Sequence, residues 1–592
     1  MPTVHAVFPA PWWTPLSYSW EAALAEGLRV SAPLGRGNRI GVTMDAGGSY
    51  DESKMKPLAA VIDERPPLPP ELWKLIKWFG ATWFIGTGFS MKTLLPSKFF
   101  SNESLPPRPE RGCGGTFTAE CFYNTDYKIR WERYRAALEE GAPALILFPE
   151  AVMARAFWES LPPSARDGGE LWPETPAKRW KLWKLALAGE VRFISGPPGA
   201  AFVPLVGLST IIMDEENNGG WRSQNHPVFN ARPLLGKRAE LAGARFLLGG
   251  SMPSSKIFLG MNPKCEEKNN DGRLVFVDTK EAQASEFAAL SGSLSISVPL
   301  LRETAAARAR GKWAMWLLDR KGYAGELYCE ECGWTARCPR CGSAMRWEER
   351  RGRLRCVSCG EHAPLPERCP NCGGLLMRGS RPGLEALFER ACGALRGNYG
   401  NVLLFQNDEE KIPAAKELVK QYPHGALLIG TRKLLSLCGV LAPAVIGWMD
   451  ADAEARSEGY DARARAYTML WESMWRGGGE RRAVVQSRRP GAGWQEGLRR
   501  GWGCFWTREL RERRELELPP FVPMIKITAQ RAVAEEIADK LAAADADFWQ
   551  SDDDGALWVR TKRFAALGAI LAHYFDISRS GKAFPSVLLY LD

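Results

Sequence analysis

A chain of 592 residues is too long for a single hydrophobic core and implies roughly three to five domains. Hydrophobic residues at 45% and charged residues at 25% exclude a disordered or membrane composition; a net charge of +10, from 78 basic and 68 acidic residues, permits a polyanionic partner without requiring one. No apolar run reaches membrane-spanning length, and the start "MPTVHAVFPAPWWTPLSYSW" lacks the basic, apolar and small-residue order of a secretory signal, so the expected compartment is the cytoplasm.

In chain order, "PALILFPE" (143–150), "STIIMDE" (209–215) and "ARFLLGG" (244–250) read as parallel strands leading into loops. After "KWAMWLLDR" (312–320) a cysteine-rich segment intervenes, and strands resume at "NVLLFQND" (401–408), "ALLIGT" (426–431), "AVIGWMDAD" (444–452) and "RRAVVQS" (481–487). Continuous apolar strands separated by helical stretches indicate doubly wound sheets, so two such groups around an insert predict a two-lobed, motor-like α/β body. From about Phe521 onward, "MIKITAQ", "ALWVRTK" and "SVLLYLD" alternate with two helical stretches, as in a small α+β domain.

Eight of the 14 cysteines fall between residues 329 and 372 as four C-x-x-C knuckles: Cys329/Cys332, Cys338/Cys341, Cys356/Cys359 and Cys369/Cys372. Two thiolates three residues apart on a tight turn converge on one tetrahedral ion, so eight predict two Zn²⁺ sites. Disulfides are the bland alternative, disfavoured by a reducing compartment, and redox chemistry is a second. Each Cys₄ site carries excess negative charge, which the eight arginines between 337 and 368 offset in part. A basic belt follows: from Arg481 to Glu517 there are ten arginines against five glutamates. Its helical half reads as a solvated face with i,i+4 pairs such as Glu509 with Arg513; its "SRRPGAGW" loop is a better candidate for phosphate contact. The 24 tryptophans serve a core more often than base stacking.

These residues resemble the bacterial primosomal protein N′ (PriA) family of replication-restart helicases. "RKGYAGELYCEECGWTARCPRC" is similar to that family's zinc block, "DEENNGGWRSQNHPVFNAR" to its D-E-E-H stretch, "GGSMPSS" to its G-S-A-T-P-S, and "RELRERRELELPPF" to its P-P-F region. "GLRVSAPLGRGNRIG" and "MKPLAAVIDERPPLPPELWKLIKWF" resemble its 3′-end DNA-binding domain. The resemblance implies a β-rich DNA-binding domain over 1–104, a linker over 105–120 where the family has a winged helix, and a RecA-like lobe over 121–290. It further implies a second RecA-like lobe over 291–327 and 377–518, a binuclear zinc insert over 328–376 and a small α+β domain over 519–592. It also implies the zinc pairing: Cys329, Cys332, Cys369 and Cys372 for one ion, with Cys338, Cys341, Cys356 and Cys359 for the other.

The motor parts are eroded. A P-loop needs G-x-x-x-x-G-K-S/T, because backbone amides cradle phosphates and the lysine reaches them; the chain has none. The family's P-loop position falls at "ECFYNTDY" (120–127), where Asp126 would repel phosphate, and G-R-A-G-R reads "GGGER" (477–481), leaving Arg481 as the one surviving candidate finger. ATP and Mg²⁺ are therefore not expected as cofactors, and no catalytic residues are expected. Asp214 and Glu215, with Glu216, read as a Walker B remnant of solvated acids at a helix start. In the N-terminal module, Ser17 stands where the family has an end-recognising aspartate.

The expected function is recognition of forked or branched DNA and recruitment of replication-restart and helicase-loading proteins, near the nucleoid, without ATP hydrolysis. Candidate DNA contacts are Arg36, Arg39, Trp221, Arg222, Arg346, Arg351, Arg353, Arg488 and Arg489, with Trp334 as a further stacking or packing residue. The alternatives are an active 3′ to 5′ helicase with a non-standard nucleotide site and a protein-interaction scaffold that has lost DNA binding.

Overall fold

The computed structural model describes every residue except 1, 46–54, 111–114, 140, 265–269, 271, 280–295, 320–323, 330, 341–344, 349–351, 357–360, 396–400, 406–414, 458, 552–553 and 580–582. Two compact units emerge: Met1–Asn124 with Lys128–Pro263 and Arg511–Asp592, and Thr125–Tyr127 with Lys264–Leu510.

The first unit begins with strands β1 (Thr3–Val7), β2 (Leu16–Ser19), β3 (Arg29–Leu34), β4 (Gly37–Met44), β5 (Lys56–Pro57) and β6 (Ala60–Val61), in the sheet order β5-β2-β1-β4-β3-β6. Two helices, Pro70–Thr82 and Gly86–Leu94, follow. Pro70 opens the first, where its missing N–H costs nothing. That helix buries Leu72, Leu75, Ile76 and Phe79, the i, i+3, i+4, i+7 stripe of a core-facing helix. Between Ser101 and Thr118 the described residues form neither helix nor strand.

Next come β7 (Thr118–Tyr123), β8 (Ala144–Leu147), β9 (Gly169–Leu171), β10 (Phe193–Gly196), β11 (Thr210–Met213) and β12 (Arg245–Gly250), a parallel sheet ordered β7-β12-β11-β8-β10-β9. Every residue of β8, β10 and β11 is buried, which explains why their sequences run apolar rather than alternating.

The second unit holds β13 (Leu274–Asp278), β14 (Ala314–Leu317), β20 (Val402–Phe405), β21 (Leu427–Gly430), β22 (Val445–Trp448) and β23 (Arg482–Ser487), again parallel, ordered β13-β23-β22-β14-β21-β20. The strand β13 lies inside the stretch 121–290 read as the first lobe, yet it pairs with β23 and belongs to this second sheet. Which sheet an edge strand joins is set by long-range pairing that its own residues do not encode. Inserted between β14 and β20 is a five-stranded antiparallel sheet of β15 (Ala324–Cys329), β16 (Met345–Glu348), β17 (Arg353–Cys356), β18 (His362–Pro364) and β19 (Met377–Pro382).

The chain closes, back in the first unit, with β24 (Met524–Thr528), β25 (Asp547–Gln550), β26 (Leu557–Arg560) and β27 (Ser586–Tyr590), an antiparallel sheet ordered β25-β26-β24-β27. Trp221, Trp316, Trp448, Trp471 and Trp506 are among the largest fully buried side chains, so much of the tryptophan load fills cores.

Candidate functional site

Ligands of open parallel sheets bind beyond the carboxyl ends of the strands. At that end β11 runs directly into Asp214, Glu215 and Glu216. The expectation of solvated acids is overturned: Asp214 and Glu216 are 0% exposed, and the Glu215 side chain is 15% exposed. Burying ionised carboxylates costs several kcal/mol each unless partners are supplied, and here they are.

Arg130, on the helix Tyr127–Glu139, donates from Nε to Asp214 Oδ1 at 2.9 Å and from Nη2 to Glu215 Oε1 at 2.6 Å. Its Nη1 donates to the Asn124 carbonyl, tying the guanidinium to the turn before the helix. Tyr134, one helical turn further, donates to Asp214 Oδ1 at 2.8 Å. Ser251 gives Glu215 Oε2 both its N–H and its hydroxyl at 3.0 Å. Glu216 accepts from Tyr123 Oη at 2.8 Å, Arg232 Nη1 at 2.6 Å and Ser254 N at 2.6 Å, and Arg232 also pairs with Asp592. Burial, reinforced by Asp214, pushes the Tyr134 phenol well above its ordinary range, so it remains a donor. Burial alone would lower the Arg130 pKa, but Asp214 and then Glu215 raise it above the usual guanidinium value. Glu215 shows the converse, raised by burial and pulled back by Arg130. Gly249 makes the arrangement possible, because a Cβ there would lie 1.9 Å from Tyr134 Oη.

The stretch 120–127 does form a strand, a turn and a helix start: β7, then Asn124 to Asp126, then Tyr127–Glu139. No glycine occurs from Thr118 to Glu139. In a nucleotide-binding lobe Mg²⁺ would bring positive charge to an acid placed like Asp214; here the Arg130 guanidinium lies against Asp214 and Glu215. Arg130, Arg232 and Tyr134 were missed by sequence reasoning. The available signal was an arginine in the first turn of the helix that follows the stretch 120–127.

Two more expectations fail. Arg481 is buried, donating from Nε to Pro443 O at 3.0 Å and from Nη1 to Ser473 O and Arg476 O at 2.9 Å each, so it holds carbonyls together and is no arginine finger. Trp221 is 1% exposed with its indole N–H on Glu215 O at 2.9 Å, which removes it from any stacking surface. In the basic belt, Glu509 is buried and meets Arg463 at 3.2 Å, while buried Arg513 donates to Pro519 O at 3.3 Å. This part of the belt is packed core rather than a solvated face.

In the insert, the Sγ atoms of Cys329, Cys332, Cys369 and Cys372 all lie within 4.8 Å of one another, with Cys329–Cys372 and Cys332–Cys369 at 3.6 Å. Four thiolates about 2.3 Å from one ion sit about 3.8 Å apart, so this cluster fits tetrahedral zinc. Both knuckles turn through a glycine at positive φ, Gly333 at 74° and Gly373 at 73°, whose N–H closes back on the first cysteine's carbonyl at 2.9 Å. Asn371 donates to Cys369 from its backbone and to Cys332 from its side chain, at 3.4 and 3.5 Å. Such outer donors spread thiolate charge. Of the second set, Cys338 and Cys356 are buried in one small cluster with Trp334 against it; Cys341 and Cys359 lie outside the described residues.

The basic candidates divide by exposure. Arg36 and Arg39 are exposed on the β3–β4 hairpin. Arg488 and Arg489 are exposed beyond β23 on a loop whose base is rigid: buried Ser487 donates to Asp452 at 2.8 Å, Gln495 donates to both, and Asp452 accepts the Arg488 N–H at 2.8 Å. Arg222 is exposed, its guanidinium 5.8 Å from the Tyr590 ring centre. Arg346 is half-buried, its pKa lowered by burial and then by Arg355; Arg353 pairs with Glu348 at 2.9 Å; Arg351 lies outside the described residues.

Two parallel six-stranded sheets, a β-rich N-terminal module and an inserted antiparallel sheet with a cysteine cluster that could hold a metal define a multidomain protein of the doubly wound α/β class. The particular likeness is to PriA: residues 5–96 match the PriA 3′DNA-binding domain (3′BD). Over 433 residues the chain is 23% identical to the replication restart protein PriA of Bacillus subtilis (strain 168), covering 71% of this chain and 53% of the relative. Against PriA of Haemophilus influenzae it is 25% identical, covering 64% and 52%, and against PriA of Rickettsia prowazekii (strain Madrid E) 23% identical, covering 81% and 79%. The chain spans about half the length of the first of these curated relatives. A solved structure of the DUF1998 helicase MrfA aligns at 13% identity and a TM-score of 0.33, covering 65% of this chain and 46% of that one. No helix among the described residues is long and apolar enough to cross a membrane.

Proposed function

We propose that the chain is a PriA-like DNA-binding protein of replication restart that recognises forked or branched DNA and helps reload the replication machinery without hydrolysing ATP. The observation that carries this reading is the closure of Asp214 and Glu215 by Arg130 in a chain that retains a 3′DNA-binding domain. Phosphoryl transfer depends on positioning and charge: a phosphate loop, its lysine, Mg²⁺ on an acid, and an arginine finger alone worth about 10³ to 10⁵ in rate. Here the loop has no glycine, the acids accept hydrogen bonds from a buried arginine, and Arg481 is buried against carbonyls.

Two zinc ions in the insert, on Cys329, Cys332, Cys369 and Cys372 and on Cys338, Cys341, Cys356 and Cys359, would lock the small sheet by closed Cys₄ ligation, a structural rather than catalytic use of metal. Duplex contact comes from exposed arginines, Arg36 and Arg39 on one module and Arg488 and Arg489 on another. The stretch 105–117, three residues shorter than the linker expected over 105–120 because β7 already starts at Thr118, would stand in for the family's winged helix. The partners are replication-restart and helicase-loading proteins at the nucleoid.

Titration of forked DNA, plain duplex and single strands at several salt concentrations tests the reading. It predicts a preference for forks and an affinity falling by about 0.9 log units per log unit of salt for each duplex phosphate neutralised. Equal affinity for all duplexes with a flat salt slope would overturn it.

A further inference from the structure

The antiparallel sheet of the insert keeps its apolar residues on one face. Met345 and Trp347 on β16, Leu354 and Cys356 on β17 and Ala363 on β18 all belong to its small core. Because successive residues of a strand point to opposite faces, Arg346, Glu348, Arg353, Arg355 and His362 line the other one. The strand registers set three of them in a row: Arg346 lies directly opposite Arg355, and Arg355 directly opposite His362.

Like charges directly opposite on neighbouring strands destabilise a sheet, since their Cβ atoms stand only about 4.5–5.5 Å apart. A carboxylate between them would relieve the repulsion, and Glu348 is the one acid among these five positions. It accepts from its own cross-strand partner, Arg353 Nε, at 2.9 Å, and lies 3.9 Å from Arg355 Nη1. Among the described residues Arg346 has no hydrogen bond or ion pair, and Arg355 opposes its charge more than Glu348 supports it. The Arg355 side chain is 52% exposed and His362 is exposed, so the row opens to solvent.

We propose that Arg346, Arg355 and His362 form a site for a phosphomonoester, the terminal phosphoryl group of a free nucleotide or of a 5′-phosphorylated DNA strand. Such a group carries three free oxygens and close to two negative charges at neutral pH. An internal phosphodiester carries two free oxygens and one charge. Two facing guanidiniums match the dianion: each offers a fork of N–H donors to a pair of its oxygens, and the imidazole adds a further donor. A bound dianion turns the mutual repulsion of Arg346 and Arg355 into shared attraction, which gives the like-charge register a use. The site goes beyond the proposed function, which calls on phosphates inside a strand rather than at its end.

The test titrates the full zinc-loaded chain, by anisotropy, with two 3′-fluorescein oligothymidylates of about 15 residues that differ only in a 5′-phosphate or a 5′-hydroxyl. Thymidine 5′-monophosphate and thymidine are titrated by calorimetry. The proteins are the parent, Arg346→Gln, Arg355→Gln and, as a charge control, Arg531→Gln at a side chain 93% exposed in the C-terminal domain. Zinc content and far-ultraviolet circular dichroism report folding. The 5′-phosphate is expected to strengthen binding by about tenfold in the parent and in Arg531→Gln, as charge-assisted hydrogen bonds do, and by less than about twofold in the other two variants. Thymidine 5′-monophosphate binding through Arg346 and Arg355, with the two strands equal, supports the site with free nucleotide as its source; a strand difference without nucleotide binding supports it with the DNA end. If neither the 5′-phosphate effect nor nucleotide binding depends on Arg346 and Arg355, the site is overturned. It is overturned as well if both strands weaken equally in the variants, because the arginines then hold internal phosphates. Forked DNA is titrated in parallel: loss of fork preference with the 5′-phosphate effect intact contradicts the proposed function and leaves this site standing.

Discussion

Replacing Arg130 by methionine keeps the stem of the side chain and deletes the charge that two buried acids share. Asp214 would keep only the Tyr134 hydroxyl at 2.8 Å, and Glu215 only its two Ser251 donors at 3.0 Å. Removing one partner of a buried ion pair strands the other charge at a cost of about 3–5 kcal/mol. In a unit of about 340 residues the unfolding entropy is roughly 0.7 kcal/mol/K, so each kcal/mol moves the thermal midpoint by about 1.4 °C and Arg130→Met should lower it by about 4–7 °C in a differential scanning experiment. The neutral triple variant Arg130→Met, Asp214→Asn, Glu215→Gln should recover more than half of that loss, because it removes the stranded charges along with the guanidinium. Millimolar MgCl₂ should recover part of the midpoint in Arg130→Met and none in the parent protein, since only the variant has acids to offer. A fall under about 2 °C, or a triple variant no better than the single one, would refute the idea that Arg130 is the internal counter-ion of this site.

Gly249→Ala should destabilise the first unit by about 1–3 kcal/mol in urea unfolding, because its Cβ meets the Tyr134 hydroxyl at 1.9 Å and one of the two must move. Metal analysis should return two zinc ions per chain, falling to one in Cys369→Ser/Cys372→Ser; an unchanged count would contradict the assignment of the described cluster. Arg488→Ala/Arg489→Ala should flatten the salt slope of fork binding by up to about 1.8 log units per log unit of salt without shifting the thermal midpoint. Arg481→Met should do the reverse, lowering the midpoint through orphaned carbonyls while leaving DNA affinity intact.

What the sequence disclosed and what it hid follow from range. The strands at 144–147, 210–213, 314–317, 427–430 and 445–448 were legible because every residue in them is buried, and a strand buried on both faces runs almost wholly apolar. The cysteine knuckles were legible because their ligands lie three residues apart. The missing glycines of a phosphate loop could be read by inspection. By contrast, the pairing of Arg130 with Asp214 spans 84 residues and that of Arg232 with Asp592 spans 360, and no local pattern distinguishes such arginines from surface ones. For the same reason acids that look solvated beside a strand turn out to be buried, and Trp221 and Arg481, chosen for their chemistry, turn out to support the fold. Exposed positions such as Arg36, Arg39, Arg488 and Arg489 were legible through their turn context: Gly35 and Gly37 flank Arg36, and Pro490 follows Arg489.

The central claim is that lobe chemistry for ATP has been replaced by a fixed internal ion pair. Its most direct test is calorimetric titration of Mg-ATP into the zinc-loaded chain, with phosphate release measured in the same preparation with and without forked DNA. No binding heat at millimolar nucleotide and no DNA-stimulated phosphate release are expected. Saturable Mg-ATP binding with turnover that rises on adding forks and collapses in Asp214→Asn would contradict it.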